Sequence, residues 1–314
     1  MGEITGLRVA IAVNKKDVWF CRICIASIRY YYPDVEILLL KDELNGKFST
    51  KEIETKWNVQ LVDFSVKKFG WSAAKIFFYT DERFKNDFFL VLDSDIVFIG
   101  KLLEKLEMLT RNADVVVSPE AEIDPYAEWV QRIYFDVKKA EQRNEKYKYP
   151  GYFFNAGQLL VRGGKFSKDD FASFFNYEQF PYWKDLAVFP LVDQSMLNYL
   201  LPVFSETGKI KVNATYKYML WSEADELKEI QLDAVKKGTR FPLLIHWAGA
   251  LRVPYLNKMS GSDILLFFEN YYYQRICFGS VLRVTRKIRP IGEYYLRIIY
   301  KKVKKTGKYI FKSE

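Results

Sequence analysis

The stretch Phe88-Phe89-Leu90-Val91-Leu92-Asp93-Ser94-Asp95 constrains this chain more than any other. Five consecutive apolar residues are the pattern of a strand covered on both faces, as in a parallel sheet sandwiched by helices. The run ends in two carboxylates spaced i, i+2. In extended chain that spacing puts both side chains on one side of the backbone, at the carboxyl end of the strand. Open α/β sheets keep their ligand crevice there. Two acids converging at that place repel each other unless a cation lies between them, so the pattern points to a divalent metal holding a phosphate ester. Asp and Ser also favour polar turns, and the tripeptide by itself suits either reading.

The flanking sequence favours the α/β reading. Leu7 to Val13 forms a first buried strand that stops at Asn14-Lys15-Lys16-Asp17. A helix over 18–32 follows, ended by Pro33, and Val35 to Leu40 is a second strand. This opening starts a nucleotide-binding layer, with Asn14 at the strand tip where a base would lie. Neither a dinucleotide-type nor a P-loop-type glycine loop follows the first strand, which leaves phosphate binding to a metal. Further strands are expected over 60–64, 96–99, 113–118 and 158–161, and helices over 72–79, 101–109, 166–177 and 191–200. The polar stretch 120–150 reads as one helix plus a mobile loop over the site.

Three more places carry candidate chemistry. In Phe154-Asn155-Ala156-Gly157, Asn155 is a polar side chain among aromatic and small residues, and Gly157 permits close backbone approach. Asp193-Gln194 opens the helix that begins near Leu191, where an Asp also serves as a plain cap. Phe241 to Gly249 is an apolar strand ending in His246, the single histidine of the chain. Neutral imidazole suits manganese better than magnesium, and two carboxylates with one imidazole leave coordination positions for a pyrophosphate. Lys75, on the helix before the Asp93 strand, reads from its residues as a solvated helix charge.

Cys21 and Cys24 lie i, i+3 on one helix face, with Cys277 far away. No second pair completes a zinc site, so these read as core thiols in a reducing compartment. Met1-Gly2-Glu3-Ile4 leads into a strand, not a signal core, and the most apolar late stretch, 264–282, is broken by charged and amide residues. A cytoplasmic protein is therefore expected. The net charge of +9 is unevenly placed. Residues 283–314 contain eleven Lys/Arg and two acids, so the body before them is neutral.

These motifs, in this order, resemble the GT-A-fold, retaining glycosyltransferases of family 8, the group of glycogenin and the bacterial lipopolysaccharide galactosyl- and glucosyltransferases. Asp93-Ser94-Asp95 looks like the family's Asp-x-Asp, and Phe154-Asn155-Ala156-Gly157 is similar to its Phe-Asn-(Ser/Ala)-Gly. Asp193-Gln194 resembles its Asp-Gln. His246-Trp247-Ala248-Gly249 with Arg252 and Pro254 resembles its His-Phe-x-Gly-x-x-Lys-Pro. The resemblance covers residues 7–255. It implies a Rossmann-like mixed, mainly parallel sheet flanked by helices over 1–255, and an appended basic and aromatic helical segment over 256–314.

The resemblance further implies that Asp93, Asp95 and His246 bind Mn2+, with Mg2+ as the alternative ion. Ala12, Asn14, Lys75, Asp93, Ser94, Gly249 and Arg252 would contact a UDP-sugar. Asn155, Asp193 and Gln194 would face the transferred hexose, galactose or glucose. Asn14 stands where the family usually has Asp, Arg252 replaces Lys, and Val253 is inserted before Pro254. The expected acceptor is a glycan, lipid-linked as in lipopolysaccharide or capsule. In the tail, Tyr295, Leu296, Ile298 and Ile299 interleave with bases, which suits an interfacial segment on the anionic inner face of the cytoplasmic membrane. No nucleic-acid motif accompanies the charge, so nucleic acid is not an expected partner. A non-catalytic nucleotide-sugar-binding membrane protein is the competing reading.

Overall fold

The computed structural model describes residues 6–70, 72–120, 122–248 and 255–310. Its first half runs β1 (Leu7–Asn14), α1 (Val18–Tyr31), β2 (Ile37–Asp42), α2 (Lys51–Trp57) and β3 (Val59–Leu61). Then come α3 (Ala73–Tyr79), β4 (Phe88–Asp93), β5 (Ile96–Phe98), α4 (Leu103–Thr110), β6 (Val115–Val116) and β7 (Pro119–Glu120). The middle contains α5 (Glu128–Ile133), α6 (Val137–Arg143), β8 (Phe153–Phe154), β9 (Gln158–Arg162), α7 (Lys168–Phe171) and α8 (Val192–Glu206). The chain closes with β10 (Val212–Asn213), β11 (Met219–Trp221), α9 (Leu232–Lys237), β12 (Leu244–His246), α10 (Ser262–Tyr273) and α11 (Gly279–Ile310).

Seven strands form the central sheet in the order β10-β6-β9-β4-β1-β2-β3. β1 pairs in parallel with both β2 and β4, and β9 is the antiparallel strand between β4 and β6. Leu90 and Leu92 go to one apolar core and Phe89 and Val91 to the other, as a strand covered on both faces requires. The sheet is thus mixed and mainly parallel, with helices on both sides. A three-stranded sheet, β11-β12-β5, is fed by the turn after β4, and β12 runs antiparallel to β5 with His246 opposite Ile96.

Cys21 and Cys24 are fully buried, and burial pushes the Cys21 thiol up to about 12. They are packing residues. The expected helix over 166–177 is only one turn, Lys168–Phe171. Ser167 and Asp170 form its capping box, but Phe175 then bridges to Trp183 as the chain doubles back. The stretch 120–150 holds two short helices, not one, with Asp136 capping the second through the Lys139 N–H. At the far end, Leu265, Phe268 and Tyr272 of α10 share one core with Ile23 and Ile28 of α1. Within 256–314, α10 is therefore part of the body, while α11 presents Val281, Val284 and Ile288 to solvent. Among the described residues no helix is long and apolar enough to cross a membrane.

Candidate active site

Asp93 is the last residue of β4, and its N–H donates to Gly157 O at 2.7 Å. Asp95 follows in a turn, so the two acids come together at that turn and not by the extended spacing expected from sequence. Trp247 N–H donates to Asp95 O at 3.0 Å, which draws the end of β12 against that turn. His246 is thereby brought to the acidic pair. One ligand atom each from Asp93, Asp95 and His246 lies within 4.8 Å of the others.

The ring of His246 is oriented by Asn155. Asn155 Oδ1 accepts the Gly157 N–H at 2.9 Å, so the oxygen is the atom facing this cluster, and His246 Nδ1 lies 3.0 Å from it. Nδ1 is thus the nitrogen turned to Asn155, and Nε2 is the one that faces Asp95 Oδ1, at 3.2 Å. Trp221 stacks on the outer face of the imidazole at 5.3 Å. Gly157 completes the wall. A side-chain carbon there would sit 2.6 Å from both Asn155 Oδ1 and His246 Cε1, and 2.8 Å from Asp93 Oδ2.

Lys75 comes from α3 on the opposite side and is 1% exposed. Its ammonium lies 3.0 Å from Asp93 Oδ1, 2.9 Å from Ala156 O and 2.7 Å from Asp193 Oδ2. The Asp193 contact is an ion pair set off the direction of a hydrogen bond. Burial would depress the lysine, but Asp193 and Asp93 outweigh it and hold the ammonium above its ordinary range. Burial likewise raises the Asp93 carboxyl; Lys75 opposes this, and Asp95 and Asp193 add to it. Two carboxylates and an imidazole nitrogen aimed at one point are a donor set for a divalent cation, and the residues present fit one.

Gln194 occupies the first turn of α8 and is spent on the backbone. Its Oε1 accepts the Ala156 N–H at 2.7 Å, and its Nε2 donates to Phe154 O at 2.6 Å. Asn198, one turn on, accepts the Phe154 N–H at 3.0 Å and returns a bond to Phe154 O at 2.9 Å. Both helices entering the site start from left-handed backbone, Ser72 at φ 59° and Val192 at φ 37°. That conformation is costly for a β-branched residue, and such strain gathers at functional sites.

The remaining described sequence candidates sit at the carboxyl ends of β1 and β4. Ala12 lies beside Asp93 in the β1–β4 register. Asn14 ends β1, where its Nδ2 donates to Asp17 and its Oδ1 accepts the Lys16 N–H. Ser94 is buried in the turn between the two acids. Gly249 and Arg252 lie outside the described residues. Sequence reading missed Asn198 and Glu120. Glu120 Oε2 accepts from Trp221 Nε1 at 3.2 Å, while its buried Oε1 has no hydrogen-bond partner among the described residues. Burial raises its carboxyl. The signal for it was present: like Asp93, it is an acid just after a buried apolar run, Val115 to Val117.

No protein-family model and no curated protein matches the chain by sequence. Solved structures match its shape. The bifunctional glycosyltransferase WbbM in its apo form aligns over 86% of this chain and 51% of its own, at TM-score 0.54 and 17% identity. The chain thus spans about half the length of WbbM. The galactosyltransferase LgtC, solved with donor and acceptor sugar analogs, aligns over 84% of this chain and 95% of its own, at TM-score 0.51 and 14% identity. The architecture that brings Asp93, Asp95 and His246 together is the GT-A fold of glycosyltransferases.

Proposed function

We propose that the protein is a metal-dependent, retaining hexosyltransferase of the family 8 type, moving galactose or glucose from a UDP-sugar to a glycan acceptor. The observation that carries this reading is the Asp93–Asp95–His246 cluster at the strand ends of a GT-A fold, backed by buried Lys75. Asp93, Asp95 and His246 would hold the ion, Mn2+ being favoured by the imidazole. When bound, a divalent ion supplies Lewis acidity to a departing diphosphate.

The chain's own residues do the rest. Asn155 keeps His246 Nε2 directed inward, and Lys75 places a permanent cation beside the leaving phosphates. Asp193 keeps that lysine charged and in position. Gln194 braces the Phe154–Ala156 backbone, and its amide is a poor nucleophile. The reading is therefore same-face attack, with the leaving phosphate taking the acceptor's proton.

The tail adds a location. In α11, Val281, Val284, Ile288, Tyr295 and Ile299 fall on one stripe and are exposed. Arg283, Arg286 and Lys287 pair with Glu269 and Glu52, and the sequence beyond them carries eight further bases from Arg289 to Lys312, a composition suited to an anionic leaflet. At about 1 kcal/mol each near such a surface, they support peripheral attachment and a lipid-linked acceptor.

The test is release of UDP from UDP-galactose and UDP-glucose with and without manganese. Wild type is expected to show manganese-dependent hydrolysis, and Asp95→Ala and His246→Ala to lose it while keeping their melting temperatures near wild type. Wild-type turnover in either variant would end the proposal.

A further inference from the structure

The β7–β8 pair reaches His246 twice. β8 runs straight on into Asn155, whose Oδ1 lies 3.0 Å from His246 Nδ1 at the edge of the ring. β7 ends in Glu120, opposite Phe153 in the register of the pair, and Glu120 Oε2 accepts the indole N–H of Trp221 at 3.2 Å. That indole lies over the face of the His246 imidazole, with ring centres 5.3 Å apart and planes 19° from parallel. One hairpin thus holds the imidazole by its edge directly and by its face through Trp221.

Strand pairing fixes the stack. β11 and β12 are parallel with Trp221 directly beside His246, and the Ser222 N–H donates to His246 O at 3.1 Å. The start of β11 is set by Ser118, whose Oγ accepts the N–H groups of Tyr218 at 3.0 Å and Met219 at 3.1 Å. Ser118 and Glu120 therefore grip β11 at both ends, and the indole is placed between a carboxyl and the imidazole. Trp221 is only partly buried, so it does more than fill the core: its polar end and one face are both spent beside the Asp93–Asp95–His246 cluster. A ring held at one nitrogen can still swing about that bond, and a second ring stacked on its face removes the freedom. Groups that orient a metal-ligating histidine from behind commonly set metal affinity by about 10–100-fold.

We infer that Trp221, tethered by Glu120, is a positioning residue for the metal site: it keeps His246 Nε2 on the point that Asp93 and Asp95 share, and so sets the affinity for the divalent cation without offering a ligand atom of its own. Glu120 acts here as the acceptor of the indole N–H, which an amide oxygen can also be. The inference rests on the metal-dependent reading and adds to it two residues that none of the sequence motifs contains.

Mn2+ is titrated calorimetrically into the full chain, and donor hydrolysis is followed across Mn2+ concentrations on the same preparations. Trp221→Ala is expected to bind Mn2+ at least about tenfold more weakly than wild type. It should need correspondingly more Mn2+ for half-maximal hydrolysis, with kcat at saturating Mn2+ close to wild type. Trp221→Phe keeps a ring over the imidazole without the tether and should fall between the two; it also carries the test if the alanine variant does not fold. Glu120→Ala should weaken Mn2+ binding in the same direction, and Glu120→Gln should restore it. Trp221→Ala/Glu120→Ala should bind no more weakly than Trp221→Ala alone, since both act through one contact. Wild-type Mn2+ affinity in folded Trp221→Ala, or in both Trp221→Phe and Glu120→Ala, overturns the inference. So does a loss in Glu120→Gln as deep as in Glu120→Ala, or a kcat deficit that excess Mn2+ does not restore. If wild type binds Mn2+ and hydrolyses donor while Trp221→Ala matches it, the positioning role alone is wrong. If wild type itself binds no Mn2+, the metal-dependent reading has failed first and takes the inference with it.

Discussion

The Lys75 ammonium lies 2.7 Å from Asp193 Oδ2 while also touching Asp93, so one buried cation ties α3, α8 and the end of β4 together. Removing it leaves two enclosed acids facing each other, and breaking a buried pair from one side typically costs about 3–5 kcal/mol. Lys75→Met is expected to lower the melting temperature and to abolish donor hydrolysis. Lys75→Met/Asp193→Asn should recover most of the stability and none of the activity. Because the folded pKa of Lys75 is raised above its ordinary 10.5, its contribution is complete below that value and is lost only as pH climbs beyond it. Urea midpoints of wild type and Lys75→Met should therefore differ by a constant amount between pH 7 and 9.

Gly157 is a sharper probe of the cluster, since it is in contact with two of its acidic and imidazole groups at once. A methyl there collides with Asn155, His246 and Asp93. Overpacking of this kind costs about 1–3 kcal/mol. Gly157→Ala is expected to fold, yet to bind Mn2+ at least about tenfold more weakly by calorimetry, a drop worth about 1.4 kcal/mol. Unchanged manganese affinity would mean that the three groups do not share an ion.

How far the sequence led differs from element to element. The strand ending at Asp93 was legible because an apolar run stopped by acids has few other structures open to it. His246 was legible because it closes a second such run. Lys75 was misread from its own residues as a solvated charge, since nothing local to α3 reveals that Asp93 and Asp193 lie above it. The one-turn helix at Lys168–Phe171 was overextended for a related reason: Phe175 and Trp183 pair across a loop, a tertiary preference that helical periodicity does not record. Asn198 was invisible because an amide inside a leucine-rich helix looks like any surface residue until its partner, the Phe154 backbone, is known.

That amide carries the next prediction. Asn198 satisfies both the N–H and the C=O of buried Phe154. Leaving such groups unpaired costs about 1–3 kcal/mol. Asn198→Ala leaves the Phe154 N–H unpaired, since Gln194 Nε2 still donates to the C=O, and should lower the unfolding free energy by that amount and loosen the Asn155 segment, reducing kcat with little change in KM for the donor. Asn198→Asp keeps the acceptor for the N–H but sets a carboxylate against Phe154 O, and is expected to be worse than Ala. A kcat unchanged in both variants would separate the Phe154 clamp from the site.

Glu52 gives a pH test of how α11 is attached. Burial pushes its carboxyl up, but hydrogen bonds from Arg286 and Tyr272 and the charge of Arg22 overcome this and hold it below the ordinary 4.5. A depressed acid stabilises above its unfolded pKa and ceases to as pH falls through the folded one. The melting-temperature gap between wild type and Glu52→Gln should therefore be steady above pH 5 and close as the solution is acidified below about 4.5. A gap that widens on acidification would show that Glu52 is not held by Arg286 in solution.

The outer stripe of α11 separates anchoring from docking. Ile288 and Ile299 are two-thirds and more than half exposed, and neither supports the core. If the stripe enters an anionic leaflet, each buried isoleucine contributes about 1.5–3 kcal/mol. Ile288→Asp/Ile299→Asp should then cut sedimentation with phosphatidylglycerol vesicles by well over about tenfold, at an unchanged melting temperature. Arg286→Ala should do the reverse, weakening the Glu52 contact by about 1 kcal/mol or less while leaving vesicle binding intact, because that guanidinium faces the body of the protein. Raising the salt should weaken wild-type binding through the eight bases beyond Lys287. Equal loss of vesicle binding in both variants would place the membrane contact on the docked face of the helix and overturn the assignment of the stripe.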